Sequence, residues 1–382
     1  MKILKLFLRA FGDLFIRHLP QLKKRNKFAF LVHPRDASDV MRQYPFLHKL
    51  SKRQMHFFLR HFWPVTLSTI QGLRNIQTGE EMIGYVISSP LTAEQMKDDP
   101  ESAKRSVIQA AKLAERKGAG IIGLGALTAS FTKGGLDILP HVKSGVTTGR
   151  IYTSRIVVDT IEKAMDQLGR NKEKVTVAVV GAAGSIGTAV AQILVREHFQ
   201  DLLFLDLERK RERLEWLTSK VKEMNPRVKT EISHDMNDLT KADVVVAVTN
   251  APEVVIRSEH LKPGVIVVDD AQPTDIDIEA IETRNDVLIL EGGVAHADHV
   301  DTNFNFGLRH KNDLYSCLAE TVILAGFGHY QDYSVGAVSD LDFALLDKLQ
   351  EDAEEVGIHV GELQNVHKFY TDEDFERVRS IL

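Results

Sequence analysis

The chain has 382 residues, 43% hydrophobic and 26% charged, the balance of a folded soluble protein of about two domains. A net charge of -5 argues against general nucleic-acid binding. The single cysteine, Cys317, excludes an intrachain disulfide and a cysteine-rich zinc site, and it fits a reducing cytoplasm. The charge is unevenly spread: residues 1–27 carry eight lysines and arginines against Asp13 alone, a net +7 that leaves -12 for the rest.

Within this basic leader, Leu4, Phe7, Leu8, Phe11, Leu14 and Phe15 recur at helical spacing. Lys2, Lys5, Arg9 and Asp13 fall on the other side, until Pro20 interrupts. No apolar run approaches the roughly 20 residues of a spanning helix, and no small-residue cleavage site follows. A basic amphipathic helix of this kind either lies in the interface of an anionic membrane or packs on the body or on a second subunit. The expected location is cytoplasmic, with peripheral contact on the inner membrane face in the first case.

Residues 28–33, 82–89 and 121–127 read as short buried strands, and Thr92 to Lys117 as a helix ended by Gly118. This alternation indicates an α/β domain. Arg150 to Leu168 reads as one linking helix closed by Gly169. From Val175 an apolar run leads into a glycine-rich turn and a helix through about Arg196. Further strands fit 202–205, 243–248, 265–269 and 287–290, which together make a doubly wound dinucleotide-binding domain of roughly 170–300. Asp313 to Gly326 and Asp340 to Val356 read as helices that return to the first domain. The expected fold is therefore α/β in two domains, a Rossmann-type doubly wound parallel sheet plus an α/β substrate domain completed by C-terminal helices. Its divisions are a leader at 1–27, the substrate domain at 28–150, the Rossmann domain with its linking helix at 151–311, and the C-terminal helices at 312–382.

The turn reads Gly181-Ala182-Ala183-Gly184-Ser185-Ile186-Gly187, after a strand and before a helix, with Asp206 closing the next strand. That context makes the glycine spacing informative. Gly181 permits the tight turn, Gly184 lets backbone approach a pyrophosphate, and Gly187 lets helix and strand pack closely. The helix N-terminus then holds phosphate through its N–H groups and dipole. Thr249, directly after the strand 243–248, is placed with the cofactor. A carboxylate at Asp206 suits the ribose hydroxyls of NADH, while Arg209, Lys210, Arg211 and Arg213 suit the extra phosphate of NADPH or form a solvated helix start.

Cys317 sits near the start of a helix that Asp313 would cap, where the positive helix end favours a thiolate. A lone cysteine is more often a small buried hydrophobe. A reactive thiol beside a nicotinamide site implies attack on an acyl thioester or aldehyde followed by hydride transfer. Hydride can equally pass directly to a ketone with no covalent step.

The chain resembles the long-chain fatty acyl-[acyl-carrier-protein] reductases of the cyanobacterial alkane pathway. The similar segments are Gly123-Leu-Gly-Ala-Leu-Thr-Ala-Ser130, Thr147-Thr-Gly-Arg-Ile-Tyr-Thr153, the Thr176–Gly187 strand and turn, Glu291-Gly-Gly-Val294, Leu314-Tyr-Ser-Cys-Leu-Ala-Glu-Thr-Val-Ile-Leu324 and Gly326-Phe-Gly-His-Tyr330. They span about 28–336 in order. The resemblance implies reduction of a fatty acyl thioester, carried by acyl-carrier protein or coenzyme A, to a fatty aldehyde. It implies that Cys317 takes the acyl group and that NADPH delivers hydride. Asp206 departs from the family pattern and leaves NADH open, the basic leader precedes the family start, and His296-Ala-Asp-His-Val-Asp301 is unusually rich in histidine.

Hydride addition to an acyl-cysteine needs donors and a proton, and His296 or His299, just after the last nucleotide-domain strand, can supply one. The alternatives are a metal with Asp298 and Asp301, or a structural or exposed role; no metal is expected. Glu320, one helical turn after Cys317, orients a donor or anchors the helix. Thr147, Thr148 and Gly149 can present N–H groups to substrate or cofactor, whereas a strand-end turn suffices to explain Thr128 and Ser130. Two other classes remain: a shikimate-like or amino-acid-like dehydrogenase without a thiol step, and a non-catalytic membrane-associated nucleotide-binding protein.

Overall fold

A computed structural model describes residues 2–16, 19, 26–251, 253–271, 274–337 and 340–382. The chain divides into two compact units. The first holds 1–149, 297–337 and 348–358, and the second holds 150–296, 338–347 and 359–382. Both are α/β. No helix among the described residues is long and apolar enough to cross a membrane.

The first unit opens with α1 (Lys2–Ile16), β1 (Lys27–Val32), α2 (Ala37–Gln43) and α3 (Lys52–Arg60). It continues through β2 (Val65–Ile70), β3 (Ile83–Ser88), α4 (Ala93–Asp98), α5 (Pro100–Arg116), β4 (Ala119–Leu124) and β5 (Gly145–Thr147). The sheet order is β2-β3-β1-β4-β5, with β2 antiparallel to β3 and every other pair parallel. The helix expected from Thr92 to Lys117 is two helices. Asp99 accepts the N–H of Ser102 and Pro100 takes the first helical position, so a new helix starts where the first ends. The short strands β2 and β5 escape a periodicity reading.

Helix α1 forms and docks by the side that carries Ala10 and Asp13, with Leu14 half-buried and Leu8, Phe11 and Phe15 exposed. Asp13, expected on the polar side, is buried: it accepts from the Thr66 N–H at 2.7 Å and from Lys117 Nζ at 2.7 Å. The Trp63 indole N–H donates to the Ala10 carbonyl at 2.8 Å. Charge-assisted bonds to a buried carboxylate are strong, and they help to set which side of the helix docks.

The second unit begins with α6 (Arg150–Leu168) and runs through β6 (Thr176–Val180), α7 (Ser185–Arg196), β7 (Asp201–Leu205), α8 (Arg211–Met224), β8 (Lys229–Ser233), β9 (Val244–Ala247), β10 (Ile266–Asp269), α9 (Ile278–Thr283), β11 (Leu288–Glu291) and β12 (Val294–His296). Its six-stranded sheet is parallel throughout, in the order β11-β10-β9-β6-β7-β8. Chain order reverses between β9 and β6, the doubly wound arrangement. The apolar runs of β6, β7, β9 and β10 are buried on both faces, as a helix-covered parallel sheet requires. Strand β8, at the edge, is polar apart from Ile232.

The last elements are β13 (Asp313–Tyr315), α10 (Ser316–Gly326), α11 (Phe343–Val356), β14 (His359–Val360) and α12 (Asp372–Arg379). The helix expected from Asp313 starts later, because 313–315 is extended and Tyr315 is its N-cap residue. Residues 359–382, expected to return to the first domain, group with the second unit: Tyr370 Oη donates to the Ile289 carbonyl at 2.8 Å, and α12 packs on α6.

Helix α10 is buried nearly all round and lies across β1 and β4. The contact is close because Gly123 has no side chain: a Cβ there would sit 1.9 Å from Thr321 Oγ1 and 2.9 Å from the Phe30 ring. Gly123→Ala is expected to cost about 1–3 kcal/mol by overpacking, measured by denaturant unfolding. Thr321→Ala in the same chain should recover part of that loss, and additive losses would contradict the contact.

Candidate active site

Cys317 is the second residue of α10, so its sulfur belongs to the first turn, where the backbone N–H groups have no partner within the helix. Its thiol is half-buried and reduced. One turn on, Thr321 Oγ1 donates to the Cys317 carbonyl at 3.0 Å. Asp313 is not the cap; it lies buried in β13.

The Thr-Thr-Gly turn after β5 meets this helix. Gly149 has φ +76, and a Cβ on it would fall 2.3 Å from Cys317 Cα. Only glycine meets both conditions, the left-handed conformation and the backbone contact. Glu320, fully buried one turn after Cys317, accepts from the hydroxyls of Thr147 and Ser334, the latter at 3.0 Å. Thr148 Oγ1 donates to the Ser334 carbonyl at 2.7 Å, the Thr148 N–H to Ser334 Oγ at 3.3 Å, and the Gly149 N–H to Thr147 Oγ1 at 3.3 Å. The turn's N–H groups, expected to face a ligand, are thus drawn into its own network. Ser334 itself has φ +51, a left-handed conformation that bonds on both sides support.

Ser334 and Asp332, which accepts the Val146 N–H at 3.0 Å, were not legible in the sequence; they reach β5 by an isolated bridge between Thr147 and Tyr333. His33 was also missed. It follows β1, and its Nε2 accepts the Leu127 N–H at 3.2 Å while its Nδ1 lies 2.8 Å from the Pro34 carbonyl. Both bonds suit the neutral Nδ1–H tautomer, and burial pushes its pKa below the ordinary histidine value. Thr128 is buried and donates to the Gly125 carbonyl at 2.7 Å, a structural role.

The two candidate histidines fall on different units. His299 is exposed, its ring against Gly357 and its carbonyl where a Cβ on Gly72 would stand. His296 ends β12, half-buried, its ring 5.5 Å from that of His359 on β14.

In the second unit the glycine turn fits a dinucleotide. Gly181 has φ +85, and a Cβ on Gly187 would lie 2.4 Å from the Gly181 carbonyl oxygen, so α7 starts hard against β6. Ala182 is buried, Ala183, Gly184 and Ile186 are half-buried and Ser185 is exposed at the helix start, where N–H groups and dipole favour phosphate. Asp206 Oδ2 accepts the Ala183 N–H at 3.1 Å, its Oδ1 accepts the Leu207 N–H at 2.8 Å, and Lys210 Nζ stands 3.2 Å away. Arg209 is exposed beside it. Thr249 donates its N–H and hydroxyl to Asp275 at 3.1 and 2.6 Å, with its methyl near Gly181.

Beyond Thr249 lies an acidic group. Burial pushes Asp269 up to about 7, against hydrogen bonds from Thr274, Ala271 and Asp275 that favour its charge. Burial raises Asp270 well above the carboxylate range, with Asp269 and Glu291 adding repulsion, and it raises Asp275 too.

Residues 162–290 match the Shikimate / quinate 5-dehydrogenase family. The chain is 28% identical over 273 residues to the long-chain acyl-[acyl-carrier-protein] reductase of Synechococcus elongatus, covering 68% of this chain and 77% of that protein. It is 27% identical over 353 residues to the aminotransferase PigE of Serratia sp., across 90% of this chain but only 39% of that protein's length. The NAD-dependent malic enzyme of Thermotoga maritima superposes with a TM-score of 0.42 at 13% identity, covering 93% of this chain and 83% of its own, a likeness too low to carry an argument. Fold and family match agree on a dehydrogenase-type dinucleotide domain in the second unit.

Gly149→Ala is expected to cost at least about 2 kcal/mol, seen as a lower unfolding midpoint. Asp269 gives a pH signature. Its folded pKa lies above its unfolded one, so stability falls as pH rises from about 4 to about 7, by on the order of 4 kcal/mol for this group. Asp269→Asn should remove that share of the slope, and an unchanged slope would contradict the assignment.

Proposed function

We propose that the protein is an NAD(P)H-dependent reductase that converts a long-chain acyl thioester to an aldehyde through an acyl-Cys317 intermediate. The observation that carries this reading is Cys317 in the first turn of α10, half-buried among buried neighbours and fixed against the backbone of Gly149. Similarity to the acyl-carrier-protein reductase supports the substrate class, with acyl-carrier protein or coenzyme A as the carrier.

The first step follows from the residues of the chain. The Cys317 thiolate, favoured by the helix end, attacks the acyl carbonyl carbon; the bond from that carbon to the carrier's sulfur breaks, and the departing thiolate takes a proton. Glu320 is a positioning residue: by accepting from Thr147 and Ser334 it holds the Thr-Thr-Gly turn that fixes the Cys317 backbone. The Gly181–Gly187 turn would hold the phosphates of a nicotinamide dinucleotide, which when bound would supply the hydride chemistry that reduction of an acyl group to an aldehyde requires. Of the two histidines, His299 shares the unit of Cys317 and is the proposed proton source.

NADPH is the proposed cofactor. Lys210 neutralises Asp206, so the carboxylate no longer repels a 2′-phosphate, and Arg209 adds positive charge beside it. Lys210→Ala should weaken NADPH binding by about ten-fold and NADH binding far less, read by fluorescence titration. Equal losses for the two cofactors would contradict the preference.

Cys317→Ala should lower aldehyde formation by at least about 10³-fold with NADPH affinity unchanged. Thr147→Val should slow acylation about 10–100-fold through misplacement. A Cys317→Ala protein that still oxidises or reduces an alcohol–ketone pair would favour the second reading, a dehydrogenase without a covalent step, which the family match over 162–290 supports.

A further inference from the structure

The docking of α1 leaves part of its apolar face outward. Leu8 is 65% exposed, Phe11 52% and Phe15 68%, and they share one side of the helix at i, i+3 and i+7. Asp13 and Ala10 take the inward side, so the exposure results from the docking bonds and is not a frayed end.

The face continues onto α3 through a line of rings. Phe11 lies 6.2 Å from Trp63, Trp63 stacks on Phe62 at 4.1 Å, and Phe62 lies 4.9 Å from Phe58. On α3, Phe58 is 37% exposed and Phe57 68%. Met55 and Leu59 fill the core beneath this helix, with Phe57 on the opposite side and Phe58 flanking them. Neighbouring rings cover Phe11, Phe57 and Phe58 only in part.

Positive charge frames this ledge. Arg9 donates to the Leu67 carbonyl from α1, and Lys52, Arg53 and Arg60 are exposed on α3, where Glu94 pairs with Lys52. A groove of about 350 Å³ opens beside the rings, lined by Arg60, Phe62, Trp63 and Arg105, with Arg105 bonded to Ser102. Residues 1–27 carry net +7 on a chain otherwise at -12.

We propose that this α1–α3 ledge is a docking surface for an anionic lipid bilayer, with Leu8, Phe11, Phe15, Phe57 and Phe58 entering the interface and the surrounding bases meeting headgroup phosphates. Two features favour a bilayer over a second copy of this chain. Two copies meeting through this face would set the same basic residues against each other. Exposed phenylalanines beside a tryptophan and a rim of arginine and lysine also match the chemistry of the bilayer boundary. The inference does not depend on the thioester reading.

The test is flotation of the full chain with vesicles of phosphatidylcholine alone or mixed equally with phosphatidylglycerol. Binding is expected to the mixed vesicles and to fall by about ten-fold or more in high salt or on neutral vesicles. Phe57→Ser with Phe58→Ser, and separately Phe11→Ser, should each reduce it by about ten-fold, with thermal unfolding confirming intact folds. Arg53→Glu with Arg60→Glu should do the same without removing any apolar group. Unchanged flotation in these variants would overturn the proposal. So would no vesicle binding by a protein whose ledge variants lose self-association or lose binding to an acidic carrier protein.

Discussion

The close approach of Gly149 to Cys317 is the constraint on which the rest of the first unit depends. A turn in the left-handed conformation presses its backbone onto the first turn of a buried helix, and no side chain fits between them. That contact fixes where β5 ends, where α10 begins and how the thiol emerges. The glycine at 123 makes a matching allowance one layer deeper, letting α10 lie on β4. Helix and turn are thus seated by the absence of side chains at two positions, and held by the hydroxyls that converge on Glu320.

A buried carboxylate served by hydroxyl donors is costly to form unless its donors stay in place. The network around Glu320 is therefore a rigid element as well as a polar one. The second unit meets a different electrostatic problem. Its strand ends gather Asp269, Asp270, Asp275 and Glu291, and burial raises the pKa of the three aspartates, with like-charge repulsion adding to the effect at Asp269 and Asp270. Near the glycine turn the carboxylate of Asp206 instead meets the N–H groups of Ala183 and Leu207 and the Lys210 ammonium.

Much of this was legible in the residues. The second unit follows from apolar runs alternating with helices, because a parallel sheet buried on both faces writes itself as Val- and Leu-rich strands. The glycine turn and Asp206 lie where their spacing puts them. Polar or short elements were hidden: β8, Lys-Thr-Glu-Ile-Ser, is held by β7 and not by its own pattern, and β5 has three residues. At the site, Cys317, Glu320 and the Thr-Thr-Gly turn could be named, but not the reason they belong together. Ser334 and Asp332 arrive through tertiary bridging that no local spacing encodes. Asp13, read as part of the polar side of α1, is instead buried and bonded, and such a carboxylate helps to set which side of the helix docks.

The account turns on whether Cys317 carries the acyl group. Intact-protein mass spectrometry after incubation with a long-chain acyl-coenzyme A or acyl-carrier protein, with no nicotinamide present, addresses this directly. The account predicts a mass gain of one acyl group, absent in Cys317→Ala and discharged when NADPH is added. A chain that gains no mass with either carrier, yet still binds NADPH, would contradict the covalent mechanism.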